Sequence, residues 1–213
     1  MKCARFFLFG LVMMALVPAS ANAWNATAGW TRADVGLDKD GDGLWLGFGN
    51  RTNLTSVLDL SWSVDYLQKK GSQPMTFSDP VSGFVTADAE VTTHWIQPSA
   101  YLGAGLRDMV LRPRIYLGFG FGLKWKEKWS DFPGEPSTEL AYEDSDFVGS
   151  LGVTVGLGPL DLDVRYTQGF SKLLIEDETE RGTTKAEDDL PGVTPPEIGA
   201  KISTFQLGLA YTF

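Results

Sequence analysis

The last eleven residues of the chain, STFQLGLAYTF, put Phe205, Leu207, Leu209, Tyr211 and Phe213 on one side of an extended backbone. Thr204, Gln206, Gly208, Ala210 and Thr212 fall on the other. Only a strand sends successive side chains to opposite faces, so this pattern excludes a helix here. It recurs. LDLDVRYTQGF sets Leu160, Leu162, Val164, Tyr166 and Phe170 against Asp161, Asp163, Arg165, Thr167 and Gly169. IYLGFGFGLKW sets Ile115, Leu117, Phe119, Phe121, Leu123 and Trp125 against Tyr116, Gly118, Gly120, Gly122 and Lys124. LDLSWSVDY sets Leu58, Leu60, Trp62, Val64 and Tyr66 against Asp59, Ser61, Ser63 and Asp65. Residues 24–32, 44–50, 91–106 and 147–157 add four further candidate strands, and no segment carries a sustained helical repeat. The expectation is an all-β chain of eight strands.

The two faces differ chemically. One is continuous Leu, Val, Phe, Tyr and Trp, while the other carries Asp59, Asp65, Lys124, Asp161, Asp163 and Arg165 among glycines and small polar residues. Those six ionisable groups cannot form a dry core. The apolar face would overfill the interior of an eight-stranded barrel, which is only just wide enough for side chains. Turning that face to lipid and the charges to the lumen resolves both problems. The prediction is an eight-stranded antiparallel up-and-down transmembrane β-barrel, a spanning structure that satisfies every backbone group between strands. No stretch beyond the first residues has 18 consecutive apolar positions, so no spanning helix competes with it.

Connection lengths alternate. NRTN, RDMVL and GPLD are short, whereas 33–43, 68–90, 128–146 and 174–200 are long and polar. Short turns on one rim and long loops on the other match an outer-membrane barrel, with turns in the periplasm and loops outside. Trp24, Tyr211 and Phe213 fall at the short-turn ends of their strands. Trp62, Tyr66, Trp125 and Trp129 are placed towards the long-loop ends, as two interfacial aromatic belts require.

The first residues fit export. Lys2 and Arg5 precede the apolar run FFLFGLVMMALV, Pro18 breaks it, and ANA at 21–23 is an A-x-A cleavage site. Residues 1–23 therefore read as a secretory signal peptide and 24–213 as the barrel domain. Cys3 leaves with the signal, and losing Lys2 and Arg5 takes the formal charge from −9 to −11. Such an acidic exported chain with no basic tract is a poor nucleic-acid binder.

The signal peptide, the eight alternating strands, LGAGL at 102–106 and the terminal LGLAYTF resemble the bacterial outer-membrane β-barrel family. That family includes the small barrels of the outer-membrane protein A and W types and porin-family relatives. The resemblance implies a location in the Gram-negative outer membrane, with its lipids and lipopolysaccharide as neighbours. It also implies that Tyr211 and Phe213 act as the signal read by the barrel-assembly machinery. A monomer is expected.

Several motifs point to particular chemistry. DKDGDG supplies Asp38, Asp40 and Asp42 at the spacing of the first half of an EF-hand loop, the weak metal candidate. The twelfth position is Gly49 instead of a bidentate Glu, so the Asp-Gly pairs read better as a tight turn entering the second strand. The loop holding Glu176, Asp177, Glu178, Glu180, Glu187, Asp188 and Asp189 reads as a solvated acidic segment, with weak divalent-cation bridging as the sharper alternative. Catalysis needs a nucleophile, a base and an orienting acid together. The single histidine, His94, has Ile96 where a His-x-Ser pair needs serine, so no catalytic residue and no cofactor is assigned. Asp161, Asp163 and Arg165 with Lys124 could close the lumen as a salt-bridge network, while Gly118, Gly120 and Gly122 leave a narrow polar passage open as the alternative. The expected function is non-enzymatic, in envelope structure or surface interaction. The rivals are a small porin-like channel, a lipid A-modifying barrel enzyme and a soluble ligand-binding barrel.

Overall fold

The computed structural model describes residues 22–35, 37, 39–79, 83–107, 109–129, 135–136, 140–142, 144–171, 174–176 and 201–213. Eight long strands form one antiparallel sheet: β1 (Asn22–Asp34), β2 (Lys39–Asn53), β3 (Leu58–Asp79), β4 (Gly83–Gly105), β5 (Leu111–Trp129), β6 (Ser145–Leu157), β7 (Leu160–Gly169) and β8 (Ser203–Thr212). Each strand pairs with its sequence neighbour, and β1 pairs with both β2 and β8. The wall is therefore a closed, eight-stranded up-and-down barrel without a free edge. A further short pair joins Leu140–Tyr142 to Leu174–Glu176.

Residues 54–57, 106–110 and 158–159 make the connections at one rim. In the tightest of them Gly158 adopts φ 60°, a conformation in which a Cβ would be penalised. Both ends of the barrel meet at this rim, where Phe213 N donates to Trp24 O at 2.9 Å. Tyr211 and Phe213 stack outward there with ring centres 6.3 Å apart.

The faces divide as the alternation demands. Phe119, Leu151 and Leu207 are 57%, 61% and 41% exposed, whereas Asp65 and Arg165 are 1% and 5% exposed. A large apolar side chain left outside a water-soluble wall forgoes about 1.5–3 kcal/mol of burial, and here whole rows do so. The outer rows form a continuous band whose upper members are Trp30, Leu44, Tyr66, Ile96 and Trp125.

Three sequence expectations change. First, 68–90 is not a loop: β3 and β4 stay paired without a break from Leu58↔Ala104 to Asp79↔Gly83. The strands continue but their polarity inverts. Beyond Tyr66 the inward position is Leu67, fully buried, and the outward positions are Gln68 and Lys70. Above the band this barrel is built like a soluble one, with Val35, Leu67, Val91, Trp95 and Ile202 packed inside. The apolar residues here fall on the opposite parity from those of the lower strands, which hides this section in the sequence.

Second, Asp40 to Gly43 lie in strand β2 and not in a tight turn. The backbone of Lys70 and the carbonyl of Gln68 approach Gly41 and Gly43 too closely for a Cβ, at a register shift between Gly41 and Trp45. Third, Trp62 belongs to the short-turn belt. It is aligned through Asn50 with Trp24 and meets that ring edge-on at 5.6 Å. The proposed signal sequence up to residue 21, Asp38, and loop residues 177–189 lie outside the described residues.

Candidate functional site

The polar face of the lower barrel converges on the lumen in two tiers. Nearest the short turns, Asp59 on β3 faces Arg114 on β5. Arg114 Nε donates to both carboxylate oxygens at 3.0 Å and Nη2 donates to Oδ1 at 2.6 Å and to Ser61 Oγ at 2.8 Å. Arg107, from the connecting turn, stands 3.7 Å from Asp59 and donates to the carbonyls of Thr55 and Leu58. On the opposite wall Asp161 of β7 accepts from Arg51 of β2 at 3.2 Å and has Arg112 at 3.7 Å. A planar guanidinium matches a carboxylate with two parallel donors, which explains arginine in place of lysine at these positions.

Arg165 forms the upper tier. Its Nη1 donates to Asp65 Oδ2 at 2.8 Å and to Tyr101 Oη at 2.7 Å. Nε donates to Tyr116 Oη at 3.0 Å, and Nη2 reaches Asp163 Oδ2 at 3.3 Å. Tyr116 in turn donates to Asp163 Oδ1. The guanidinium lies 4.6 Å from the Trp45 ring and 4.8 Å from that of Tyr101, within cation–π range. Trp45 Nε1 and Ser63 Oγ complete the shell of Asp65 at 3.0 and 2.7 Å. Strands β2, β3, β4, β5 and β7 thus meet at one charge, and burial alone would forbid an unpaired ion there.

Glycine makes room for these groups. The ring of Tyr116 lies on Gly152, the guanidinium of Arg114 on Gly103, Tyr101 beside Gly118 and Ser99 on Gly120. The volume that Gly118 and Gly120 remove from their own strand is therefore taken up by the next one. Between the tiers remains a cavity of about 40 Å³, with Arg51 and Arg114 from one tier and Asp65 and Arg165 from the other in its wall. That is room for about three or four water molecules at roughly 10–15 Å³ each.

Above the tiers the lumen turns apolar. Trp95 and Leu67 are fully buried, and Lys69 Nζ sits 4.8 Å over the Trp95 ring. Lys69 lies beyond the apolar band, three positions past Tyr66. Desolvation pushes its ammonium down to about 8, against a weaker opposing pull from Asp146.

The structure therefore brings together Asp59, Asp65, Asp161, Asp163 and Arg165 from the sequence prediction. Lys124 is held elsewhere, at the loop end of β5, by Glu127 at 2.6 Å and Asp144 at 3.4 Å. A bulge at Trp125 shifts the register just beyond it. The sequence reading missed Arg51, Arg114, Tyr101, Tyr116 and Trp45 as partners. Arg114 continues the inward parity of Tyr116 by one step and was readable; Arg51 was hidden in a stretch read as a turn. Asp40 pairs with Arg32 on the exposed surface at 3.5 Å, and no metal-binding group of three acidic, His or Cys residues exists among the described residues. His94 points outward, its Nδ1 2.7 Å from Tyr66 Oη.

No family model matches the sequence, and no curated protein matches it either. Solved structures do. Ail, the attachment invasion locus protein of Yersinia pestis, is 17% identical in its complex with the heparin analogue sucrose octasulfate, covering 91% of this chain and 99% of its own at a TM-score of 0.46. Neisserial surface protein A is 14% identical, covering 92% and 100% at 0.47. The outer membrane protein OprG from Pseudomonas aeruginosa is 13% identical, covering 91% and 96% at 0.46. The eight-stranded antiparallel β-barrel itself is shown by this chain's own strand pairing, which closes from β1 to β8.

Proposed function

We propose that this chain is an integral outer-membrane β-barrel whose lumen is closed by its own side chains, and that it serves envelope structure or surface interaction without catalysing a reaction. The observation that carries the reading is the Arg165 cluster. One guanidinium, bonded to Asp65 and Asp163 and to two tyrosine hydroxyls, fills the centre of the barrel beneath an apolar plug. The exposed Leu and Phe rows support lipid as the outer neighbour. Export would use residues 1–23, and assembly would read Tyr211 and Phe213 at the barrel end.

Conductance tests the closed lumen. Barrel reconstituted in a planar bilayer is expected to give no steady single-channel steps above the lipid baseline. Reproducible steps would establish the porin-like channel instead. Partition into the aqueous fraction without detergent would return the chain to the soluble class. A change in lipid A on overexpression would establish the enzyme.

A further inference from the structure

On the outside of β3, β4 and β5, just above the apolar band, the pairing register builds a small grid. Gln68, His94 and Lys126 form one row across the three strands, and Lys70, Thr92 and Lys128 form the next. Tyr66, Ile96 and Leu123 form the row beneath, with Trp125 bulged out beside it and 75% exposed. Neighbouring strands lie about 4.8 Å apart, so Lys70 and Lys128 stand about 10 Å from each other with the Thr92 hydroxyl between them. The flexible four-carbon stems of the two lysines allow both ammonium groups to converge on one phosphate across that span.

The chain is acidic overall, which makes this concentration of cations more telling. Two other exposed cations near the loop rim have carboxylates in reach: Arg32 has Asp40 at 3.5 Å and Lys39 has Asp88 at 3.4 Å. Among the described residues no ion pair joins Lys70, Lys126 or Lys128 to a carboxylate. Glu90 and Asp88, higher on β4, mark the acidic upper edge of the grid.

We propose that Lys70, His94, Lys126 and Lys128 form a binding site for the phosphate groups of an outer-leaflet glycolipid, whose acyl chains lie on the Tyr66–Ile96–Leu123 row and against Trp125. The proposal rests on the membrane reading above and assigns a site to it. Its geometry is that of a headgroup contact: cations at headgroup height directly over aromatic and aliphatic rows. The hydrogen bond between His94 Nδ1 and Tyr66 Oη, 2.7 Å, holds the ring on this outer face, and the imidazolium would donate from both ring nitrogens. Partial burial, then Lys126 and Lys70, hold the imidazole below its usual range, so a phosphate that neutralises those lysines would favour its protonation.

The test uses the full mature barrel refolded in zwitterionic micelles. The probes are diphosphorylated lipid A, the same lipid without phosphates, and inositol hexakisphosphate, with bound molecules counted by native mass spectrometry. Wild type is expected to bind the phosphorylated lipid at least tenfold more tightly than the dephosphorylated one. At about fivefold per lysine near the surface, Lys126→Gln with Lys128→Gln should weaken that binding about 25-fold. Lys201→Gln, outside the grid, should leave it unchanged. Equal binding of both lipids, or an unaffected double variant that still shows heat-modifiable migration, overturns the site. Hexakisphosphate binding as tightly as the lipid overturns the lipid assignment. Failure of the wild type to insert into vesicles would instead overturn the membrane reading, which keeps the two outcomes apart.

Discussion

Replacing Arg165 by methionine keeps most of the side-chain volume but removes the one charge that answers Asp65 and Asp163. Both carboxylates are nearly inaccessible, at 1% and 5% exposed. Breaking a buried pair by deleting one partner typically costs about 3–5 kcal/mol, because the remaining charge stays buried without compensation. Here Asp65 keeps its bonds from Trp45 and Ser63, and Asp163 keeps Tyr116, which holds the expected cost near the lower end, about 3 kcal/mol. With a urea dependence of about 2 kcal/mol per molar, the unfolding midpoint in phospholipid vesicles should fall by about 1.5 M. Tryptophan fluorescence is the natural signal, since the Trp45 ring lies 4.6 Å from the guanidinium. The accompanying control combines Arg165→Met with Asp65→Asn and Asp163→Asn, which removes the orphaned charges and should recover at least half of the loss. A midpoint shift under about 0.5 M for the single variant, or a triple variant no more stable than the single one, would refute the argument that charge compensation holds the centre of this barrel.

Leu151→Arg tests the outer neighbour. At the middle of a lipid-facing row it should cost about 2–4 kcal/mol in vesicle unfolding, whereas on a water-facing wall it would change stability by no more than about 0.5 kcal/mol. Gly152→Ala should cost about 1–3 kcal/mol, because a Cβ there meets the Tyr116 ring and displaces its hydroxyl from Arg165 and Asp163; an unchanged urea midpoint would show that the ring moves freely. Lys69→Met addresses pH. The folded ammonium titrates near 8 and the unfolded one near 10.5, so the unfolded state binds more protons between those values and wild-type stability rises with pH across that window. Below about pH 8 the full penalty, about 3 kcal/mol, is present. The methionine variant should therefore be more stable than wild type at pH 7, and the difference should shrink as pH climbs from 8 to 10.5; a constant difference would contradict a charged, desolvated Lys69.

Eight strands and their closure were legible because apolar residues on one side and charges on the other enforce a period of two along each strand. Phe205 to Phe213 states that rule without exception. Legibility ended where the outer solvent changes. Past Tyr66 the same strands run on, but Leu67 now faces in and Lys70 faces out, so a reading tuned to one parity lost thirteen residues of β3, from Leu67 to Asp79. The lumen aspartates could be read from alternation because the strand around each was long enough to set its face. Their partners could not: Arg51 sits where β2 enters its turn, Arg112 at the start of β5, and Trp45 is an aromatic on the polar parity. Pairing across a closed barrel joins residues 55, 100 and 110 positions apart, as Asp59–Arg114, Asp65–Arg165 and Arg51–Asp161 do, and no local pattern encodes which of them meet.

On the membrane reading proposed above, the exchange of sides at Tyr66 and Leu67 also fixes how deep the molecule floats. Moving the wall downward by one outward row, about 5 Å along the normal for strands tilted near 40°, would carry Gln68, His94 and Lys126 into hydrocarbon. Raising it by the same step would lift Tyr66 and Ile96 into water and draw the short turns beyond Leu58, Leu102 and Leu160 toward hydrocarbon. Vertical position is thus written into the chain residue by residue, and a bilayer of different thickness must deform to meet this waterline.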